Sequence, residues 1–195
     1  MSAVLTLSSV TKSFGGLAVI DDVSFDIEQG SRSALIGPNG AGKTTIFNLL
    51  SGIYEVNGGQ MILDGVDITD IPSRDRINFG MSRSFQNIRL MPHLSTVENV
   101  MLGQHHLATS FKDIFYPIGF RPKNKWAEQA RAALSDAGLD TYSGQVVSEL
   151  PYGVQKRIEV VRALMSDPKL LLLDEPAAGL NAAETSELQT LLEKV

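Results

Sequence analysis

Three observations predict that these 195 residues form an α/β fold. Alternating apolar residues before residue 70 predict short antiparallel strands. A glycine-rich loop stands between an apolar strand and a helix, and a second apolar strand ends in two carboxylates. The spacing between these features is mostly helical. We therefore expect a core sheet, a small antiparallel β layer and a helical subdomain near residues 88 to 165.

The composition limits the classes of function. Apolar residues make up 43% of the chain and charged residues 20%, which is typical of a globular protein. The absence of cysteine excludes disulfides and thiolate metal sites, and it favours the cytoplasm. A net charge of −5 is a poor match to nucleic acid.

The antiparallel layer is predicted from the first strands. Val23, Phe25 and Ile27 alternate with polar residues, as on a strand with one buried face. Asp64 and Gly65 follow an apolar run and predict a hairpin turn.

The glycine-rich loop at residues 37–45 reads GPNGAGKTT and fits the pattern G-x-x-x-x-G-K-[ST] in full. Residues 34–36 predict the strand before it, and a helix is expected to begin near Lys43 and to stop at Gly52. Glycines let backbone N–H groups surround a phosphate, and the helix N-terminus adds positive potential. The pattern predicts a P-loop NTPase core. The expected ATP contacts are Gly37, Pro38, Asn39, Gly40, Ala41, Gly42, Lys43, Thr44 and Thr45.

Two helices are predicted from local signals. Ser95 and Glu98 have the spacing of a capping box. Further along, Val154, Ile158, Val161 and Leu164 form one apolar helix face. The opposite face is predicted to be polar and consists of Gln155, Lys156, Arg157, Glu159 and Arg162. Asp167 and Pro168 are expected to end this helix.

An acidic pair follows the apolar run at residues 170–173. The C-terminal ends of strands in open α/β sheets are where ligands bind. Asp174 is therefore expected to hold Mg²⁺ together with the Thr44 hydroxyl, and Glu175 to polarise an attacking water. A guanine-binding N-K-x-D pattern is missing, so ATP hydrolysis is favoured over GTP hydrolysis.

These motifs together resemble the nucleotide-binding domain of ABC transporters over essentially the whole chain. Residues 85–87 look like the glutamine loop of that family, which implies that Gln86 contacts Mg²⁺ and the attacking water. Phe14 lies 29 residues before Lys43, where the family places an aromatic residue that stacks on adenine, and Val19 would flank the base. The alternative for a lone phenylalanine is a packing role.

Residues 150–155 occupy the place of the family's signature sequence, LSGGQ. The resemblance implies that Pro151, Tyr152 and Gly153 contact an ATP bound to a second copy, so that two subunits enclose two nucleotides. Pro151 stands where the family has serine, and Val154 stands where it has glutamine. Proline lacks a backbone donor.

Within the family, the chain most resembles the ATPase subunits of branched-chain amino acid importers. Residues 84–90, 97–100 and 178–181 carry that likeness, together with Tyr152 and Gly153. The stretch from residue 104 to 126 holds five of the 13 aromatic residues. It is either an insert packed on itself or a surface for a membrane partner.

The resemblance implies ATP and Mg²⁺ as cofactors and a homodimer or a paralogous ATPase subunit as partner. Integral membrane permease subunits complete the expected assembly, on the inner face of the plasma membrane. The transported solute would not bind this chain. Two alternatives remain: a soluble ABC ATPase that acts on nucleic acid or ribosomes, and a non-hydrolysing switch that binds ATP.

The resemblance also implies a single ATP-binding domain, residues 1–195, that is incomplete at its C-terminus. In the family a further strand lies between the phosphate-loop strand and the acidic strand, and it carries a histidine about 33 residues after the catalytic glutamate. No histidine follows Glu175 here. The expectation is that the 195-residue chain alone is inactive.

Overall fold

The computed structural model describes residues 2–84, 88–107 and 125–194. It contains two compact units. The first consists of Met1–Arg83 and Pro168–Asp174, and the second of Ser84–Asp167 and Glu175–Val195. The assignment of one domain with a helical subdomain at residues 88 to 165 stays a prediction. Gln86 and residues 108–124 of the aromatic stretch lie outside the described residues.

An antiparallel sheet forms much of the first unit. Its strands are β1 (Ala3–Phe14), β2 (Leu17–Glu28), β3 (Gly58–Leu63) and β4 (Val66–Asp67), in the order β2-β1-β3-β4. One face is buried because apolar residues alternate along the strands, among them Leu5, Leu7, Val10, Met61 and Leu63. Val23, Phe25 and Ile27 pack against this core. The predicted antiparallel layer is confirmed.

A two-residue turn joins β3 to β4. Leu63 pairs with Val66, and Asp64 and Gly65 between them have φ angles of 46° and 79°. Two consecutive residues with positive φ are typical of the tight hairpin turn that matches the twist of a strand pair. The predicted hairpin is confirmed.

The remaining elements of the first unit are a helix and a parallel strand pair. Helix α1 (Lys43–Leu50) begins and ends where predicted and buries Ile46, Leu49 and Leu50. Strand β5 (Met81–Arg83) pairs in parallel with β6 (Leu170–Leu172). Their buried residues join the core of the antiparallel sheet. The acidic pair therefore follows a true strand.

The strand predicted at residues 34–36 is wrong. The segment has no regular secondary structure, and its apolar side chains are exposed, Leu35 by 41% and Ile36 by 88%. A strand exists only through hydrogen bonds to a neighbouring strand. Among the strands in the described part of the chain, none pairs with this segment.

The second unit is helical. It contains α2 (Thr96–Met101), α3 (Lys125–Asp136), α4 (Tyr152–Leu164) and α5 (Ala182–Leu192). Helix α2 packs against α3 and α4, and α4 packs against α5. The buried side chains between them include Val97, Val100, Leu134, Val154, Ile158, Val161, Leu188 and Leu191. In the described ranges, no helix is long and apolar enough to cross a bilayer.

Side chains close the N-termini of two of these helices. The Ser95 hydroxyl accepts from the N–H of Glu98, and the Glu98 carboxylate accepts from the N–H of Ser95, so the predicted capping box is confirmed. Asn181 and Glu184 form the same arrangement at α5. At the start of α3, the carbonyl of Trp126 accepts from the side-chain amide of Gln104.

The polar face predicted for α4 is wrong in part, because Lys156 and Glu159 are buried. The Glu159 carboxylate accepts from the N–H of Arg89 at 3.1 Å and lies 3.9 Å from the Lys156 ammonium. Arg162 donates to the carbonyl of Arg89. Burial lowers the pKa of Arg162, while Glu159 acts in the opposite direction. Arg89 thus bonds to two residues of this face, and the charges of Lys156 and Glu159, which read as solvated, are paired inside the unit.

Candidate functional site

The phosphate loop is open to solvent in the first unit. Residues 37–41 are exposed, and Gly40 and Gly42 have φ angles of 83° and 84°, in the left-handed region that glycine adopts without strain. Gly42 is the N-cap residue of α1. The loop therefore leads directly into the helix N-terminus, whose free N–H groups suit an anion.

Gly42 also fixes the loop against β2. A Cβ atom on this residue would lie 2.7 Å from Cδ1 of Ile20 and 3.2 Å from the carbonyl oxygen of Val19. A side chain at this position would therefore require both neighbours to shift, in addition to the strain of the positive φ angle. The close approach places Val19, a predicted base contact, beside the end of the loop.

Lys43 folds back across the loop. Its ammonium group donates to the carbonyl of Gly37 at 2.7 Å and to that of Pro38 at 2.8 Å. The charge is thus held over the curve of the loop by two neutral acceptors. A phosphate oxygen is a stronger partner for an ammonium because it is charged. Thr44, the next residue of α1, is exposed beside it.

Asp174 follows β6 and contacts an arginine that the sequence analysis missed. Its Oδ2 accepts from Nη2 of Arg83 at 2.8 Å, and the two side chains are 17% and 8% exposed. Arg83 is the last residue of β5, the parallel neighbour of β6. The local sequence gives no signal for this pair, because it depends on which strand lies next to the acidic strand.

Glu175 has an uncommon backbone conformation. Its φ angle is 47°, in the left-handed region that costs a residue with a side chain about 1 to 2 kcal/mol. The side chain is exposed. Two turns follow, with hydrogen bonds from the N–H of Ala178 to Glu175 and from that of Leu180 to Ala177, before α5 begins. Such conformations are concentrated at functional sites.

Phe14 is at the end of β1 and is 40% exposed. The ring of Tyr54 meets it edge-on, with centroids 5.1 Å apart and an interplanar angle of 73°. The Lys12 ammonium lies 5.1 Å from the Phe14 centroid. An exposed aromatic ring that a second ring holds in place is suited to stacking on a flat ligand. The sequence analysis did not identify Tyr54.

The signature residues begin α4 in the second unit. Pro151 is the N-cap residue and provides no side-chain hydrogen bond to the helix, and Tyr152 is 45% exposed. A Cβ atom on Gly153 would overlap the carboxylate of Glu184 and lie 2.8 Å from its Cγ. The ring of Tyr152 lies over Gly179, where a Cβ atom would be 3.2 Å from Cε1. The start of α4 therefore packs closely against the residues that lead into α5.

The predicted site residues fall into two groups. The first unit holds the phosphate loop, Phe14, Val19 and Asp174, and the second holds Glu175 and residues 151–153. Gln86 lies outside the described residues.

Comparisons with known proteins show the family of the chain. The family profile described as "ABC transporter" matches residues 20–178. The high-affinity branched-chain amino acid transport ATP-binding protein BraF of Pseudomonas aeruginosa is 40% identical over 98% of the chain and 76% of its own length. Its counterpart LivG of Escherichia coli K12 is 36% identical over 97% of the chain and 75% of its own length. The ADP conformation of MJ1267, an ATP-binding cassette of an ABC transporter, superimposes with a TM-score of 0.85 at 28% identity, covering 100% of the chain and 77% of that protein.

Proposed function

Because the chain belongs to the ABC transporter family, we propose that it is the ATP-hydrolysing subunit of an importer for branched-chain or related amino acids. ATP binding is proposed because the Lys43 ammonium lies against the carbonyls of the phosphate loop, where a phosphate would bind. The solute class rests on the similarity to BraF and LivG.

ATP binding begins at the loop and α1. The phosphates replace the carbonyl groups of Gly37 and Pro38 as partners of Lys43, while N–H groups of the loop and of the helix N-terminus surround them. Phe14 stacks on the base, and Val19 flanks it. Each of these contacts is local to the first unit.

The oxygen donors of the first unit fit Mg²⁺. This ion takes oxygen ligands and is usually held by one or two protein groups together with the phosphates of the nucleotide. The Thr44 hydroxyl and the Asp174 carboxylate are such groups, and Gln86 is the third residue proposed for this role. When bound, the ion neutralises charge on the phosphates.

Glu175 is the proposed catalytic carboxylate. Its carboxylate orients the attacking water toward the γ-phosphate and accepts a proton from that water. The left-handed φ angle of 47° at Glu175 supports this role, because such conformations are concentrated at functional sites.

The proposed assembly has further subunits. A second copy or a paralogous ATPase would supply its own Pro151, Tyr152 and Gly153 to the nucleotide at the N-terminus of α4. Integral membrane permease subunits would bind the solute, and they would change conformation when the two ATPase subunits open and close. The location proposed for the chain is cytoplasmic and peripheral, on the inner face of the plasma membrane.

Two substitutions test this function. Lys43→Ala removes the ammonium group that holds the phosphates, so ATP binding should be lost. Glu175→Gln keeps the shape of the side chain but loses the base, so binding should remain while hydrolysis slows by about 10²- to 10⁴-fold. Equilibrium binding of ATP and phosphate release measure the two effects.

Matched controls come from the same chain. Lys169→Ala removes a lysine that pairs with Asp64 on the surface, and Glu187→Gln alters an exposed carboxylate that pairs with Arg157. Both should keep wild-type binding and turnover. Wild-type hydrolysis by Glu175→Gln would remove this residue from the mechanism. A wild type that binds but never hydrolyses ATP, even together with its permease subunits, would favour the switch function.

A further inference from the structure

Arg83 joins the acidic strand to the helix that follows the phosphate loop. Its Nη2 donates to Asp174, and its Nη1 donates to the side-chain oxygens of Asn48 and Ser51, all at 2.8 Å. The guanidinium also lies 5.6 Å from the ring centroid of Phe47. Asn48 and Phe47 belong to α1, and Ser51 is its C-cap residue. One side chain thus contacts both elements.

The residues that Arg83 contacts on α1 lie in line with Thr44. Thr44 and Asn48 are four residues apart, and Ser51 is three residues further on, so the three share one face of the helix. Because Arg83 holds Asn48 with one nitrogen and Asp174 with another, Asp174 is tied to the helix face that carries Thr44. These two residues are the proposed Mg²⁺ donors of the first unit.

The arginine is suited to orienting a carboxylate. Its side chain is 8% exposed, and the guanidinium is a rigid planar fork, so contacts on one side fix the direction of the other. Arg83 donates to Oδ2 of Asp174, so Oδ1 is not engaged by this arginine. A single point charge on a flexible stem would attract the carboxylate without fixing its orientation.

We propose that Arg83 is a positioning residue, which holds Asp174 with Oδ1 available to the metal that accompanies ATP. This inference rests on the proposed function, because it assigns Arg83 to the Mg²⁺ site of that function. Asn48 and Ser51 act behind Arg83 and set the direction of its fork. Substitution of a residue that orients a metal ligand typically lowers metal affinity by about 10- to 100-fold.

The test is the enhancement of ATP binding by Mg²⁺, measured as the ratio of the dissociation constants in EDTA and in Mg²⁺. Arg83→Lys keeps the positive charge but loses the fork, so the ratio should fall about ten-fold while the dissociation constant in EDTA stays at the wild-type value. Asn48→Ala keeps the arginine at position 83 and removes a side chain that does not itself contact Asp174. It should also lower the ratio. The double variant should fall no further than Arg83→Lys alone, because the two residues act in series.

Arg76→Lys is the matched control. Arg76 is also buried and also bonds to the end of α1, through the carbonyls of Leu49 and Leu50, but it has no contact with Asp174. This variant should lower the melting temperature and leave the Mg²⁺ ratio unchanged.

The outcomes separate the inference from the function on which it rests. A wild-type ratio in both Arg83→Lys and Asn48→Ala overturns the positioning role while the proposed function stands. If Arg83→Lys does not fold, Asn48→Ala decides alone. A wild-type protein that does not bind ATP, or binds it equally with and without Mg²⁺, contradicts the proposed site itself.

Discussion

Phe14 is a partly exposed aromatic residue whose ring contacts that of Tyr54. Its contact with Tyr54 leaves 40% of the residue accessible, so the ring is both held and available. The same arrangement distinguishes its two proposed roles. As a base platform it contributes to nucleotide affinity, and as a packing residue it contributes only to stability.

Phe14→Ala should therefore weaken ATP binding by about 1 to 3 kcal/mol, the range for a base stacked on an aromatic side chain. Binding of inorganic triphosphate, which has no base, should not change. Leu17→Ala is the control, because Leu17 is an exposed apolar residue of the same hairpin. Equal ATP affinity in wild type and Phe14→Ala would leave packing on Tyr54 as the sole role of this ring.

Gly153 has a second, purely steric reason to lack a side chain. A methyl group there would displace the carboxylate of Glu184, whose other oxygen accepts from the N–H of Asn181 in the cap of α5. Gly153→Ala should lower the free energy of unfolding by about 1 kcal/mol, the value of a lost cap. Urea denaturation measures this effect.

Gly144→Ala is the control for that substitution, since Gly144 has open space around it and no positive φ. It should be neutral or slightly stabilising. If the displaced cap is the cause, adding Glu184→Ala to Gly153→Ala should cost little more than either change alone. Additive effects would contradict that cause.

At the scale of the element, the Ser95 cap of α2 couples stability to pH. Hydrogen bonds from the hydroxyl and the N–H of Ser95 lower the pKa of Glu98 from its ordinary value of 4.5. A depressed carboxylate pKa stabilises the fold above the ordinary value, and that contribution is lost as the pH falls below it. The capping box therefore stabilises the fold at neutral pH and contributes less at acidic pH.

Ser95→Ala should cost about 1 kcal/mol of unfolding free energy at pH 7. The difference from wild type should shrink at acidic pH, because protonation of Glu98 removes the carboxylate that accepts from Ser95. Ser135→Ala, at an exposed position in α3, should change stability little at either pH. A cost for Ser95→Ala that is the same at both pH values would show that Glu98 takes no part in the cap.

What could be predicted from the sequence depends on how local each element is. The Ser95 cap, the Asp64 hairpin turn and the start of helix α1 at Lys43 are set by neighbours within a few residues, and all three appear as expected. The Asn181 cap has the same local spacing and was within reach of the same reasoning. Local chemistry carried these predictions.

Elements that depend on distant partners could not be predicted in this way. Residues 34–36 have the composition of a strand, but a strand also needs a neighbour to bond with. Glu159 reads as solvated because its hydrogen-bond partner, Arg89, is 70 positions away. Arg83 was missed for the same reason: β5 and β6 are adjacent in space and far apart in the chain.

At the scale of the whole molecule, net charge separates the transport function from action on nucleic acid. The chain carries 17 basic and 22 acidic residues. A protein that binds nucleic acid through its phosphates needs a basic surface, and its affinity falls steeply with salt. We expect no retention on DNA or RNA at physiological salt, and no stimulation of ATP hydrolysis by either.

Filter binding and ATPase assays with added nucleic acid check this expectation, alongside the same assays with membrane permease subunits from a related importer. Stimulation by the permease and none by nucleic acid is the expected pattern. Tight binding to RNA or to ribosomes would favour the soluble alternative.

The position of Trp126 at the start of α3 has a spectroscopic consequence. It is the only tryptophan in the chain, and it belongs to the second unit, where its carbonyl receives the amide of the buried Gln104. Its fluorescence therefore reports on the unit that contains the signature helix. The first unit, which contains the phosphate loop, has no tryptophan and gives no tryptophan fluorescence. Replacing Leu17 with tryptophan would give that unit its own fluorophore, so the two units could be followed separately as ATP is added.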